Sequence, residues 1–323
     1  MTRNITRRTA LAGLAATVTL PGIAKAQTWP SRVVTMVVPF PAGGNADALA
    51  RSVAAELSVK LGQQFIVENR GGAGGNIGGG VVAHAAPDGY TFLFGTPAPI
   101  AMNKLMYKTM AYDPEKDFTP VALVAKSPLI IVANPKAPFN TIKELAVYAK
   151  ANPGKLNVGH PGNGTLGHIT SVLLQRQLKI SMTGVPYRGT APLTVDLLGG
   201  QVDVGMDFMT TYVPLVKAGK LKALAVTSAQ RAANLPEVMT VQEGGFEGFE
   251  ATAWYAIVAP AKTPTAIIDK INAASNAFLA SDNGKKVLLT FGMQAAGGTP
   301  ADLKNYIASE LKKWGPVIKE ANI

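Results

Sequence analysis

Two glycine-rich segments carry residue types that can hold an anion without a cationic side chain. The first is Pro39-Phe40-Pro41-Ala42-Gly43-Gly44-Asn45-Ala46-Asp47, placed between an apolar run and a helical pattern. Gly43 and Gly44 let the backbone turn sharply and leave N–H groups open, and Asn45 is a suitable helix N-cap. The start of a helix presents unpaired N–H donors and the positive end of its dipole, which together form an anion site. The second segment is His160-Pro161-Gly162-Asn163-Gly164-Thr165-Leu166-Gly167-His168, again between a strand-like run and a helical one. Each segment taken alone reads equally as an ordinary tight turn. Two of them in matching positions suggest a clamp that closes on one anion.

Gly162, Gly164 and Gly167 also spell the dinucleotide fingerprint GxGxxG. That fingerprint requires an acidic residue roughly 20 positions on to hold a ribose, and no Asp or Glu stands between His168 and Asp196. Nucleotide binding is therefore disfavoured. His160 and His168 bracket the same loop, but an eight-residue gap across a turn is no recognised metal-ligand spacing. A third cluster, Gly71 to Gly80, reads as a shaped turn. The chain has no GxSxG elbow, no HExxH and no cysteine, and its three histidines are at 84, 160 and 168. The residues thus point to binding, with no catalytic residue, no metal and no cofactor expected.

The elements that must position these loops are legible from periodicity. Val33 to Val38 is a near-continuous apolar run, as in a strand buried on both faces. Leu49, Val53, Leu57 and Leu61 form one helical stripe, stopped by Gly62. Strands are expected at Phe65 to Glu68, Thr91 to Gly95, Leu129 to Ala133, Leu156 to Gly159, Thr183 to Pro186, Val202 to Met206 and Leu221 to Val226. Helices are expected at Val81 to Ala86, Ile142 to Ala151, from Leu166 to beyond Leu173, at Pro192 to Leu198, and through most of the tail from Thr263. Such alternation predicts an α/β protein whose mostly parallel sheets are flanked by helices.

At the N-terminus Arg3, Arg7 and Arg8 precede an apolar stretch from Ala10 to Ile23, followed by Ala24-Lys25-Ala26. This is the pattern of an export signal cleaved after Ala26. Arg7-Arg8 suits twin-arginine export, with Sec as the alternative. Cleavage removes four cations and lowers the formal charge from +11 to +7. The remaining excess is scattered without a basic stripe, which disfavours nucleic acid and leaves a diffuse field favouring anionic solutes. No cysteine is available for a lipid anchor, so the 297-residue mature chain is expected to be soluble in the periplasm. That length exceeds what one core usually sustains, so two lobes follow.

Val38-Pro39-Phe40-Pro41-Ala42-Gly43-Gly44 with Asp47 and Arg51 resembles the Bug family, the periplasmic receptors of tripartite tricarboxylate transporters. The likeness continues in Val67-Glu68-Asn69-Arg70, Pro87-Asp88-Gly89-Tyr90-Thr91, Tyr112-Asp113-Pro114, Val185-Pro186-Tyr187-Arg188-Gly189 and Gly200-Gln201-Val202-Asp203. The resemblance implies a two-lobe Venus flytrap that captures a small carboxylate for a membrane permease and performs no catalysis. The crossings are placed near 125 and 250, giving lobe 1 as 27–125 with 251–323 and lobe 2 as 126–250. By matching motif, the ligand contacts of the first lobe fall at Phe40, Ala42, Gly43, Gly44, Asn45, Asp47 and Thr96. Those of the second fall at Gly162, Asn163, Gly164, Thr165, His168 and Asp207. The family often has a hydroxyl residue where Asn45 stands, and Ser where His160 and Thr165 stand, so the identity of the solute stays open: mono-, di- or tricarboxylate, aromatic acid or acidic amino acid. The expected assembly is a monomer, and the rival readings are a sensor acting on a membrane signalling partner and an exported enzyme.

Overall fold

The structure is a computed structural model that describes residues 29–320, so the export signal and its cleavage site lie outside the described residues. The chain opens with β1 (Val34–Val38), whose hydrophobic residues pack on both faces. Next comes α1 (Asn45–Leu61), with Leu49, Val53 and Leu57 buried along the predicted stripe. Gly62 ends it at φ 70, a left-handed conformation that glycine adopts without a Cβ clash. β2 (Phe65–Asn69) and β3 (Thr91–Gly95) flank β1 in parallel. Between them lies α2 (Asn76–Ala83), which absorbs much of the third glycine cluster. A Cβ on Gly79 would run into the Tyr112 ring, and one on Gly78 would lie 2.7 Å from the Arg70 carbonyl oxygen. These glycines serve close helix packing. After a π turn over Ala98–Met102 come the short α3 (Asn103–Met106) and α4 (Pro114–Asp117).

The centre of the molecule departs from the sequence expectation. β4 (Phe118–Ala133) is one strand of 16 residues, of which only the last five are legible as a strand in the sequence. The inner half of the fold follows: α5 (Ile142–Ala151), β5 (Asn157–His160), α6 (Leu166–Leu178), β6 (Thr183–Pro186), α7 (Thr190–Gly199), β7 (Val204–Phe208), α8 (Met209–Lys217) and β8 (Lys222–Val226). The chain then returns through β9 (Thr252–Pro260), α9 (Thr265–Ala280), α10 (Asp282–Thr290), the two-residue β10 (Gln294–Ala295) and α11 (Pro300–Glu320). β9 is buried along its whole length and shows no alternation, so its sequence cannot be told from a buried helix segment.

The sheet order is β2-β1-β3-β9-β4-β7-β5-β6, with β8 and β10 also on β4. The outer strands pair in parallel as expected, whereas β9 is antiparallel to β3 and β4, and β4 is antiparallel to β7, β8 and β10. Phe118 to Pro128 pair with β9, and Leu129 to Ala133 pair with β7. β4 therefore belongs to both halves of the sheet. The second crossing lies beside the first. Thr227, fully buried after β8, takes the Leu129 N–H on its hydroxyl at 2.8 Å, and the hydroxyl lies 2.6 Å from the Ala251 carbonyl, to which it can donate. The Ala251 N–H donates in turn to the Thr227 carbonyl. α11 leans across the seam, touching β4, α9, α3 and α6. No helix among the described residues is long and apolar enough to cross a membrane.

Candidate functional site

β1 and β5 run in opposite senses and bring the two glycine loops to one cleft, and each loop feeds a helix. Around these helix starts lies a cleft of about 560 Å³. Of the residues expected to bind ligand, Phe40, Ala42, Gly44, Asn45, Thr96, Gly164 and Thr165 line it. The other six sit behind or beside the wall. Gly43 is at φ 88 and gives its N–H to Asp47 Oδ2 at 2.9 Å. Asp47 is buried and also takes bonds from Arg51 and Asn69. Burial pushes its carboxyl up, but Arg51, the Gly43 N–H and Asn69 outweigh that and hold it below the usual carboxylate range. This residue shapes the loop.

The second loop is built in the same manner. The Thr165 hydroxyl donates to the Gly162 carbonyl at 2.6 Å and accepts the His168 N–H, capping α6. The Gly164 N–H, one of the donors expected to meet ligand, is taken by His168 Nδ1 at 3.1 Å. His168 therefore carries its neutral proton on Nε2. Its ring stacks on His160 at 4.4 Å, and His160 Nδ1 lies 3.0 Å from the Gly162 carbonyl, which can only accept. Burial, reinforced by the neighbouring His168, lowers His160 to about 4 against the opposing pull of the Gly162 carbonyl, and burial lowers His168 as well. Asn163 is exposed. Asp207, buried at the end of β7, accepts the Thr190 hydroxyl and its neighbour's Phe208 N–H, and burial raises its carboxyl against both bonds. Gly162, Asn163, His168 and Asp207 are outside the cleft lining, His168 holding the Gly164 N–H and Asp207 the Thr190 hydroxyl and the Phe208 N–H.

What remains open to a solute is the pair of helix starts. The first bond within α1 runs from the Ala48 N–H to the Gly44 carbonyl, so the N–H groups of Asn45, Ala46 and Asp47 have no helical acceptor. Gly44, and not Asn45, is the N-cap, and it makes no side-chain cap. Asn45 instead reaches to the Thr210 hydroxyl at the start of α8, 3.4 Å away across the cleft. In α6, where the first backbone bond runs from the Ile169 N–H to the Thr165 carbonyl, the N–H groups of Leu166 and Gly167 likewise have no helical acceptor, and of the two residues Leu166 lines the cleft. A Cβ at Gly167 would lie 2.5 Å from the Met206 carbonyl oxygen, which fixes glycine there.

The remaining wall was not legible from motifs. Met102, Met106, Ile169, Phe208, Tyr255 and Trp314 come from six separate elements, and none belongs to a recognisable spacing. Trp314 is held from behind. Glu310, 2% exposed, accepts the indole N–H of Trp314 at 3.0 Å and of Trp254 at 3.2 Å, and it pairs with Lys313. A second cavity of about 510 Å³ lies between α4, α9 and α11 and contains none of the glycine-loop residues. Among the described residues no group of three or more His, Cys, Asp or Glu could hold a metal.

A cleft between two α/β halves that share one strand and are joined by two adjacent crossings is the architecture of a periplasmic solute-binding protein. Residues 49–323 match the tripartite tricarboxylate transporter family receptor, and the chain belongs to that family. Protein BugT of Bordetella pertussis is 36% identical over 98% of both chains. Rpa4515 of R. palustris, solved with adipate, is 40% identical with a TM-score of 0.76, covering 91% of this chain and 99% of its own. MatC of Rhodopseudomonas palustris, solved with bound malate, is 37% identical with a TM-score of 0.71, covering 90% and 99%. The family and these neighbours are solute-binding proteins rather than enzymes.

Proposed function

We propose that the chain captures a small carboxylate between two lobes in the periplasm and delivers it, as a monomer, to the membrane permease of a tripartite tricarboxylate transporter. The observation that carries this reading is that two helix starts, one from each half of the sheet, line one cleft with unpaired N–H groups. Such donors bind a carboxylate by charge-assisted hydrogen bonds without paying to desolvate a cation. Adipate and malate in two relatives support an acid as the solute.

The lobes are residues 27–125 with 251–323, and 126–250. The change of strand partner between Pro128 and Leu129, and the return at Thr252, support crossings close to those bounds. The Asn45 to Thr210 contact across the mouth supports closure over a bound solute. Mass spectrometry of solute released from protein purified without denaturation tests the reading directly. A released small acid whose re-addition restores a calorimetric binding signal is the expected result. A protein that binds no carboxylate in a broad acid panel refutes it.

A further inference from the structure

We infer that the end of the inner half farthest from the cleft adsorbs reversibly to an anionic phospholipid surface. Its cations stand singly in the sequence, and the fold gathers them. β5 and β7 are parallel, β5 running into the second glycine loop and β7 ending at Phe208 in the cleft wall. Their N-terminal ends therefore point away from the cleft. The start of β6, the start of β8 and the last residue of β4 lie at the same end, since Thr183 pairs with Asn157, Lys222 with Ala133 and Ala133 with Val204. Lys136 follows β4 there, Lys150 ends α5, Lys155 precedes β5, Lys179 joins α6 to β6, Lys217 ends α8 and Lys220 precedes β8. All six are exposed, and none is in an ion pair among the described residues. Lys222 lies beside them, tied to the Ala137 and Phe139 carbonyls. The one acid in these turns is Asp203, whose carboxylate accepts the Asn157 N–H at 2.8 Å. Arg176 on α6 is paired with Glu320 and adds no net charge. Seven lysines against one aspartate give a formal +6, nearly the whole +7 of the mature chain. The rest of the surface is close to balanced.

The residue types favour headgroups over a protein partner. Lysine ammonium groups are point charges on flexible stems, and a fluid layer of anionic headgroups can rearrange around them wherever they fall. Protein interfaces are instead depleted in lysine and draw their affinity from Trp, Tyr and Arg. None of these three types occurs in the turns that carry the lysines. The turns also expose no large hydrophobic side chain, so the contact is electrostatic and nothing inserts into the acyl layer. The cleft opens at the opposite end of the same strands. A receptor exported as proposed above and adsorbed by this pole keeps its mouth clear of the headgroups, and so loads solute while it stays near the membrane of its permease.

Cosedimentation of the mature chain with vesicles at neutral pH, without solute, tests the pole. Vesicles of phosphatidylcholine with about a third phosphatidylglycerol are expected to hold the protein at least about tenfold better than phosphatidylcholine alone at roughly 50 mM salt, and to lose that advantage at roughly 500 mM. Two charge-matched variants locate the contact. Lys136→Gln, Lys155→Gln, Lys217→Gln and Lys220→Gln combined should abolish the preference for anionic vesicles. Lys262→Gln, Lys286→Gln, Lys304→Gln and Lys312→Gln combined remove the same charge from exposed positions of the outer half and should leave the preference in place. All eight side chains are exposed, so both variants should keep the melting temperature of the parent. Equal binding to the two vesicle types, full binding by the first variant or an equal loss in the second overturns the inference. Failure to bind either vesicle also overturns it, and leaves an acidic protein surface as the partner of the pole. Carboxylate capture is read by calorimetry with acids and stands or falls separately from all of these results.

Discussion

Adjacent glycines in the first loop do different work, and substitution separates them. Gly43 sits at φ 88 with open space where a Cβ would go, whereas Gly44 is extended at φ −82 and ψ 170 and lines the cleft. Gly43→Ala should cost about 1–2 kcal/mol of stability from its left-handed backbone alone. Gly44→Ala should leave the melting temperature of the free protein unchanged and weaken solute binding, read by thermal denaturation and calorimetry on the same preparations. Thr165 combines both roles. Its hydroxyl caps α6, so Thr165→Ala should lower stability by roughly 0.5–2 kcal/mol as well as loosen the loop. The histidine pair makes the loop sensitive to acid. The folded chain holds His160 at about 4, below the unfolded value of 6.5, so between those values the unfolded state binds a proton that the folded state refuses. Stability is therefore full above pH 6.5 and falls as the pH drops towards 4, by on the order of 3 kcal/mol for a shift of this size. Denaturation curves from pH 7.5 to 4.5 should show this fall, and His160→Asn should flatten it. An equal fall in that variant would assign the acid sensitivity to other groups.

At the scale of elements, the two crossings are held by one side chain and the cleft wall by another. Thr227→Val keeps the shape but strips the hydroxyl from the Leu129 N–H and the Ala251 carbonyl, both at buried positions. Two orphaned buried backbone groups cost roughly 1–3 kcal/mol each, so urea midpoints should fall by far more than for a surface Thr→Val change. Glu310→Ala should leave both indole N–H groups without acceptors and shift tryptophan emission as Trp314 loosens in the cleft. These elements also show what the sequence displays and what it hides. The α1 stripe, the Gly62 stop and the strand runs feeding both loops are visible because each reflects a local period or a local conformational need. β9 is not visible, because a strand buried on every side has no alternation to display. Motif spacing marks where a loop must turn, but not which N–H the turn leaves free: the Gly43 N–H is taken by Asp47 and the Gly164 N–H by His168. Tyr255 and Trp314 carry no local signal. They reach the cleft through a sheet order that brings β9 back between β3 and β4, with α11 packed across β4.

For the whole molecule, closure about the two crossings should make the particle more compact when solute binds, and small-angle scattering with and without a saturating acid reads that change. A radius identical in both states would fit only a protein closed throughout, as the Asn45 to Thr210 contact allows, and fluorescence labels across the mouth separate that case from a rigid cleft. The crossings also dictate an order of events on the ribosome. Because β9 lies between β3 and β4, the outer sheet cannot close until residue 260 has left the exit tunnel, more than a hundred residues after β4. The inner strands β5 to β8 emerge together and complete most of their pairing before then. Late-arriving strands raise contact order and leave early ones unpaired. A chain arrested shortly after Ala251 should therefore protect its β5 and β7 amides from hydrogen exchange while β1 to β3 exchange freely, with the edge of β3 exposed to any chaperone that recognises an extended apolar segment.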